Sequence, residues 1–255
     1  MTDCRLEIAD FIFYINMKNP FEILLKSVLS AFNYKKIKKM KKLVVLFTFI
    51  ILSCSTTKLS KSESENLKIE FETMYKIDQI AQSGKPNGEF INYPIENWKN
   101  FKDSVFTKNT NRIEALFNKH GFLGIKEIGK KGSKHFWIFT QHSDKFPEFQ
   151  KRVLKSMKKE AKKGNVNPDD YVFLLDRVNA NSGEKQTFGT QVNYRLNGQA
   201  KPKNGLVDSL NVDELRKEYG LKPLKDYLNQ MTEMHFEMNK ESFAKQGITK
   251  PNLYK

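Results

Sequence analysis

Cysteine is nearly absent from the sequence, and this absence narrows the chemistry that the chain can perform. The 255 residues contain two cysteines, Cys4 and Cys54, so residues 55–255 contain none. A disulfide framework and thiol catalysis are therefore excluded from that part of the chain.

Histidine is also scarce, and the few histidines are badly spaced for a metal centre. In a helix, His135 and His142 would lie two turns apart, about 10 Å, which is too far to share one ion. An oxygen-rich site made by His142, Asp144 and Asp176 is the weaker alternative. The sequence therefore predicts no metal ion and no cofactor.

Signatures of covalent catalysis and of nucleotide binding are missing as well. No Gly-x-Ser-x-Gly elbow occurs, and Ser156 and Lys159, which have Ser-x-x-Lys spacing, lie on a face that we expect to be solvated. The glycines in 129–132 and 183–189 are too sparse for a phosphate-binding loop. We therefore expect no serine or cysteine nucleophile and no nucleotide ligand.

Long hydrophobic runs are absent too. The most apolar segment, Leu43–Leu52, has about half of the roughly 20 residues that a transmembrane helix needs. Lysines precede it, and it ends in Ile51-Leu52-Ser53-Cys54. This ending resembles the lipobox of bacterial lipoproteins, within a signal peptide of residues 40–53. The resemblance implies that Cys54 carries a diacylglyceryl group, so that membrane lipid is a partner and the protein is an anchored lipoprotein of the cell envelope, facing the periplasm or the surface.

Residues 1–39 precede this signal. Because Met40-Lys41-Lys42 has the form of a signal-peptide start, we interpret residues 1–39 as an upstream extension that is not in the mature protein. The alternative is that residues 8–32 form an amphipathic segment at a membrane surface.

The charge is strongly basic, at +15 overall. Such a balance suits anionic lipid headgroups, acidic glycans or nucleic acid. An exported protein rarely meets nucleic acid, so we exclude that partner. The densest lysine cluster, in residues 151–163, surrounds an amphipathic helix, and we expect it to be mainly a solvated face.

Helical spacing of apolar residues dominates the rest of the chain. We expect a flexible tether at 54–66, one compact, mainly α domain at 67–240 with at most one short β-hairpin near Val192–Leu196, and a loose tail at 241–255. Within the domain, Pro147 and Pro168 should each open a helix, and Asn211 with Glu214 should form a capping box. Residues 122–132, rich in glycine, should form a loop, with Ser133 capping a buried helix.

Polar residues recur in an ordered series after residue 136. The series contains Trp137, Gln141-His142-x-Asp144, Leu174-x-Asp176-Arg177-Val178, Gln186, Gly189-Thr190-Gln191 and Gly220-Leu221-x-Pro223. It resembles an uncharacterised bacterial family that is classed as a domain of unknown function, over residues 108–230. The resemblance implies a shared fold and assigns no activity.

These residues supply the candidate site. The catalytic candidates are His142, Asp144, Asp176 and Arg177, and the binding candidates are Gln141, Gln186, Thr190 and Gln191. The favoured hypothesis is a binding or accessory envelope module for a protein, peptide or glycan. The alternative is an envelope hydrolase in which His142 acts as general acid–base and Asp144 or Asp176 orients it. A third interpretation is a buried polar network that fastens helices to the 183–191 loop.

Overall fold

The computed structural model describes residues 58–255. The predictions for the upstream extension, the signal peptide and lipidation at Cys54 lie outside the described residues. Among residues 58–255, no helix is both long enough and apolar enough to cross a lipid bilayer.

Eight α-helices and one hairpin make up the described fold, which confirms the prediction of a mainly helical protein with one short β-hairpin. Short 3-10 turns at Gly88–Phe90 and Ile95–Asn97 link the first two helices. The helices are α1 Lys61–Gln82, α2 Trp98–His120, α3 Ile125–Gln141, α4 Pro147–Ala161, α5 Pro168–Asn181, α6 Val212–Glu218, α7 Leu224–Met238 and α8 Lys240–Lys245. Strand β1, Val192–Tyr194, pairs antiparallel with β2, Ala200–Pro202.

Helix α1 begins earlier than the sequence suggested. The Ser60 hydroxyl accepts a hydrogen bond from Glu63 N at 3.2 Å, and the Glu63 carboxylate accepts one from Ser60 N at 2.9 Å. These Ser60 hydrogen bonds lower the pKa of Glu63 to about 2. This capping box satisfies two backbone N–H groups at the helix start, those of Ser60 and Glu63. The predicted tether at 54–66 is therefore corrected, because its second half is helical.

The predicted loop at 122–132 is wrong, because most of it belongs to α3. The carboxylate of Glu127 accepts a hydrogen bond from Gly124 N, and Asn165 holds Lys126 N at 2.7 Å. Non-helical backbone at Ile128 and Gly129 divides α3 into two helical segments joined at a sharp kink. Ser133, predicted as a cap, is therefore a buried residue inside α3.

Helix α1 runs antiparallel to α2 and parallel to α3. Along α2, Glu63 faces Lys119 at 3.5 Å and Glu70 holds Arg112 at 2.6 Å. Along α3, the Ser64 hydroxyl donates to Glu127 O at 2.6 Å. The bundle therefore has two opposite ends. The Lys61 end holds the starts of α1, α3 and α5 and the ends of α2 and α4, and the Gln82 end holds their other termini.

An aromatic core joins these helices. Phe71 of α1 meets the edge of Phe139 of α3 at 5.6 Å between ring centroids, and Phe136 meets Phe122 in the same way at 5.5 Å. All four rings are buried. Each buried phenylalanine contributes about 1.5–3 kcal/mol relative to an exposed one, so this cluster fixes the relative positions of α1 and α3.

The C-terminal residues are held against the hairpin, which corrects the predicted loose tail. Tyr254 N donates to the side chain of Asn229 at 2.7 Å, and the Tyr254 hydroxyl donates to Ala200 O at 2.7 Å. Phe243 of α8 is buried.

The predicted capping box at Asn211 and Glu214 is absent. Asn211 precedes α6, but its side chain caps no backbone group of that helix. Asp208 accepts hydrogen bonds from Leu210 N and Asn211 N instead. An Asp side chain competes well for such turn N–H groups, and here it replaces the predicted cap.

Candidate functional site

Asp176 is a clamp for the loop that follows α5. Its carboxylate is fully buried and accepts hydrogen bonds from the backbone N–H groups of Thr187, Phe188 and Thr190, at 2.9, 3.1 and 2.9 Å. Burial raises the pKa of the Asp176 carboxyl, and the three N–H groups act in the opposite direction. Asp176 therefore orders the 187–190 segment and does not contact His142 in any hydrogen bond.

Gln186 holds the same loop from its other side. Its amide oxygen accepts from Gln191 N at 2.8 Å, and its amide nitrogen donates to Gln191 O and Lys203 O. Gln186 is fully buried and Thr190 nearly so. Buried polar groups of the 186–191 loop thus hold the loop together. Gln186 and Thr190, which were predicted as binding residues, therefore have a structural role.

Arg216 and Tyr227 fix the outer side of this loop. The Arg216 guanidinium donates to Phe188 O at 2.5 Å and to Lys222 O at 2.7 Å. The Tyr227 hydroxyl donates to Thr190 O at 2.6 Å. Burial lowers the pKa of Arg216 and raises that of Tyr227 to about 12. Neither residue was predicted from the sequence.

Gln141 is buried between α3 and α5. With the amide oriented to suit its neighbours, its oxygen accepts from Trp137 Nε1 at 3.2 Å and from Leu174 N at 3.0 Å. This contact holds the end of α3 against α5, directly before His142.

His142 is held by Asp78, a residue that the sequence prediction missed. Nδ1 of His142 lies 2.8 Å from Oδ1 of Asp78, which is fully buried. Asn109 donates to the other carboxylate oxygen at 3.2 Å, and Gln79 donates to Oδ1 at 3.1 Å. The imidazole also stacks on Phe106, with ring centroids 4.4 Å apart. Position and orientation of this ring are therefore fixed by three helices.

The other ring nitrogen of His142 faces a cleft. Within residues 58–255, Nε2 makes no hydrogen bond, and it is not among the buried polar atoms that lack a partner. The side chain is 13% exposed. Because Nδ1 is engaged by Asp78, Nε2 is the nitrogen that a ligand or a water molecule can reach.

Asp144 and Arg177 form the opposite side of the cleft. Arg177 Nε and Nη2 lie 2.8 and 2.7 Å from the two Asp144 oxygens, a bidentate pair. Gln150 and Asn181 also donate to Asp144 Oδ1, at 3.1 and 2.9 Å. The Gln191 side chain lies near Arg177 Nη1, at 3.5 Å. Asp144 therefore orients Arg177, and it is not the partner of His142.

The cleft lies at the Gln82 end of the bundle and has a volume of about 200 Å³. Lys145 of its rim holds Asp103 at 2.8 Å, and this ion pair keeps the pKa of Asp103 below its usual range. Lys102 makes no ion pair within residues 58–255, and its ammonium lies 5.3 Å from the Phe106 ring centroid. The lining residues are Gln82, Lys102, Asp103, Phe106, Thr107, His142, Asp144, Lys145, Phe146 and Arg177.

The structure thus separates the predicted residues into two groups. His142, Asp144 and Arg177 line the cleft, whereas Asp176, Gln186 and Thr190 are buried around a loop. No group of three or more His, Cys, Asp or Glu side chains suited to a metal ion occurs in the described part of the chain.

A signal for Asp78 exists in the sequence. Leu67, Phe71, Met74 and Ala81 repeat at helical spacing on the inward face of α1, and Asp78 occupies the next position of that stripe. A carboxylate in an apolar stripe must have a partner in the core. Its partner comes from 64 residues further along the chain, so the sequence alone does not identify it.

Comparison with known proteins gives one match. The profile of DUF6624, described as a family of unknown function, matches residues 65–238, which is more than half of the chain. No curated protein and no solved structure gives a significant match.

Proposed function

The chain belongs to DUF6624, a family of unknown function, and we propose that it is a lipid-anchored binding module of the bacterial cell envelope whose ligand site is the His142 cleft. The observation that carries the proposal is the fixed imidazole, with Nδ1 bound to buried Asp78 and Nε2 open to the cleft. The sequence around Cys54 supports the anchor, because it resembles a lipobox.

The charges of the cleft favour an acidic group as ligand. Arg177 and Lys145 are each paired with a carboxylate, but Lys102 adds a cation without an ion pair in the described residues. An imidazolium donates from both ring nitrogens, so His142 in that state can hold Asp78 with Nδ1 and an acidic ligand with Nε2, and the Gln82 amide adds a neutral donor. A cleft of about 200 Å³ is smaller than a drug-sized site, so it suits the carboxylate or phosphate group of an envelope peptide or glycan.

Two substitutions at His142 test this site. Asn places its amide nitrogen where Nδ1 lies, so His142→Asn keeps a donor to Asp78 and removes Nε2. Gln places its amide nitrogen near Nε2, so His142→Gln keeps a group in the cleft and loses the bond to Asp78. Calorimetric titration with acetate and with inorganic phosphate should show saturable binding in the parent and in His142→Gln.

His142→Asn should weaken this binding by about tenfold or more, the worth of one hydrogen bond to a charged group. If the parent shows no saturable binding of phosphate or acetate, or if His142→Asn binds them with the same affinity as the parent, the cleft is not a site for acidic groups. Intact-mass measurement of the protein made in a bacterial host tests the anchor separately, through the added mass at Cys54.

A hydrolase is the second candidate, and the Asp78–His142 pair favours it. A buried carboxylate that holds one imidazole nitrogen leaves the other oriented to take a proton from water. Arg177 and Lys102 can then stabilise the negative charge that develops on an ester or amide. Residues 55–255 contain no cysteine, and in this scheme the nucleophile is water activated by His142.

Asp78→Asn tests the second candidate. The Asn oxygen can still accept the hydrogen bond from Nδ1, so the ring stays in place while the charge is removed. If His142 is a general base, hydrolysis of 4-nitrophenyl acetate or 4-nitrophenyl phosphate should fall by about 10²–10⁴ in His142→Asn and by less in Asp78→Asn. Parent and both variants with the same rate as buffer would exclude this candidate.

A further inference from the structure

The end of the bundle at which the described chain begins is rich in exposed lysine. Helix α1 starts there at Lys61, α2 and α4 end there, and α3 begins there. The Ser64 hydroxyl contacts Glu127 O at 2.6 Å, and Asn165, after α4, contacts Lys126 N at 2.7 Å, so these termini lie side by side. The basic end consists of Lys58, Lys61, Lys119, Lys126, Lys158, Lys159, Lys162 and Lys163, all exposed.

The acidic residues at this end are fewer than the eight lysines, and each of them has a partner; they are Glu63, Glu65, Glu127, Glu160, Asp169 and Asp170. Glu63 accepts from Ser60 and lies 3.5 Å from Lys119. Glu160 is only 17% exposed and is shared between Lys163 and Asn165. Glu127 accepts from Gly124 N and from the Asn165 amide. These carboxylates are thus paired, and lysine ammonium groups remain in excess over them at this end.

The distance to the proposed lipid is short. Cys54 precedes Lys58 by four residues, which span at most about 14 Å when fully extended. Because the described chain begins at Lys58 and Leu59 packs against the core, only three residues lie between Cys54 and that chain. This step rests on the lipid anchor of the proposed function. An anchor at Cys54 holds the Lys61 end of the bundle within about one or two Debye lengths of the headgroups.

We infer that the basic end of the bundle lies against the anionic lipid headgroups of the membrane to which Cys54 is anchored. One acyl-bearing residue and a basic patch together give firmer membrane attachment than either alone. Each lysine near an anionic surface favours the bound state by about fivefold.

This orientation also determines where the candidate site faces. Ser64 and Asp78 are 14 residues apart on α1, so their positions are separated by about 21 Å along the helix. The His142 cleft, which lies beside Asp78, therefore faces away from the bilayer. A ligand in the envelope space reaches it without approaching the lipid.

Lysine labelling of the full chain tests the inference. The lipidated protein is reconstituted into phosphatidylcholine vesicles with or without phosphatidylglycerol, acetylated with an N-hydroxysuccinimide ester, and digested for mass spectrometry. With phosphatidylglycerol present, labelling of Lys126, Lys159 and Lys162 should slow by about fivefold. Labelling of Lys201 and Lys225, outside the basic end, should not change. The protection should disappear when salt shortens the Debye length to about 3 Å.

Matched triple variants provide the control. Lys126→Gln, Lys159→Gln and Lys162→Gln together should abolish the protection of the remaining Lys158 and Lys163. Lys201→Gln, Lys225→Gln and Lys240→Gln together remove the same charge elsewhere and should leave it intact. These three control lysines are also exposed.

The outcomes are distinguishable. Equal labelling of the basic end in both vesicle types, or equal slowing of every lysine, with the diacylglyceryl mass present at Cys54, overturns the inferred face and leaves the anchor standing. Absence of that mass from the N-terminal peptide overturns the anchor and the orientation together.

Discussion

Replacing Asp176 with Asn should destabilise the fold although it changes only one side-chain atom. The carboxylate accepts hydrogen bonds from three backbone N–H groups and also lies beside the Thr190 hydroxyl. The Asn amide nitrogen must therefore point at a donor. If it occupies the Oδ2 position, Thr190 N loses its partner, and if it occupies the Oδ1 position, Thr187 N does.

The magnitude follows from this mismatch. One buried N–H is left without an acceptor, and the amide nitrogen either lacks one too or turns to the Thr190 hydroxyl, at about 1–3 kcal/mol for each group left unpaired. Removal of the buried charge, whose burial raises the pKa of Asp176, offsets part of that cost. A net loss of about 3 kcal/mol lowers the melting temperature of a domain of this size by about 6–12 °C.

Thermal unfolding by circular dichroism measures this loss. Glu184→Gln is the matched control, because it removes the same charge from an exposed side chain two residues before Gln186, and its effect should stay within about 0.5 kcal/mol. Amide hydrogen exchange of Thr187 and Thr190 should also accelerate in Asp176→Asn. If Asp176→Asn melts within about 2 °C of the parent, the clamp is refuted.

Three further predictions concern other buried groups. His135 has a buried Nδ1 without a partner, and burial lowers its pKa. The folded protein therefore favours the neutral form of His135. The free energy of unfolding that comes from this preference is fully present above about pH 6.5 and is lost as the pH falls through the lower pKa of the folded state. Urea midpoints at several pH values should show that loss in the parent and not in His135→Phe, and an equal slope in both would contradict it. Arg216→Lys should lower the free energy of unfolding, measured by chemical denaturation, by about 1–3 kcal/mol. The planar guanidinium donates to two backbone carbonyls, and the single ammonium of lysine cannot reach both. Unchanged stability would refute this. Gly189→Ala should destabilise more than Gly183→Ala, since both have positive φ but a Cβ at 189 would lie 2.9 Å from a Leu224 methyl and one at 183 would meet nothing. Equal melting temperatures would show that the contact at 189 is unimportant.

Local signals in the sequence predicted two helix starts correctly. Pro147 and Pro168 each open a helix, because proline has no N–H to lose and a φ suited to the first helical position. The start of α3 was missed, because its glycines interrupt the helical spacing of apolar residues. The hydrogen bonds that stabilise this start come from Asn165, which follows α4. Nothing in residues 122–132 encodes that contact.

The candidate site was predicted in part, and for the same physical reason. Residues close in sequence, such as His142 and Asp144, suggested a pair, yet the side chain of Asp144 turns to Arg177 and that of His142 turns to Asp78. Which carboxylate meets the imidazole depends on the packing of α1 against α3, through rings such as Phe71 and Phe139. Spacing along one segment carries no information about such a long-range contact.

Nuclear magnetic resonance of ¹⁵N-histidine-labelled protein tests the central claim most directly. The account predicts that the Nδ1 proton of His142 exchanges slowly, because it is held by Asp78, and that the Nε2 resonance of the same ring shifts saturably when phosphate or acetate is added. The ring of buried His135 should not respond. An Nδ1 proton that exchanges freely, or an Nε2 resonance that both anions leave unchanged, would contradict the fixed imidazole and its cleft as the functional site.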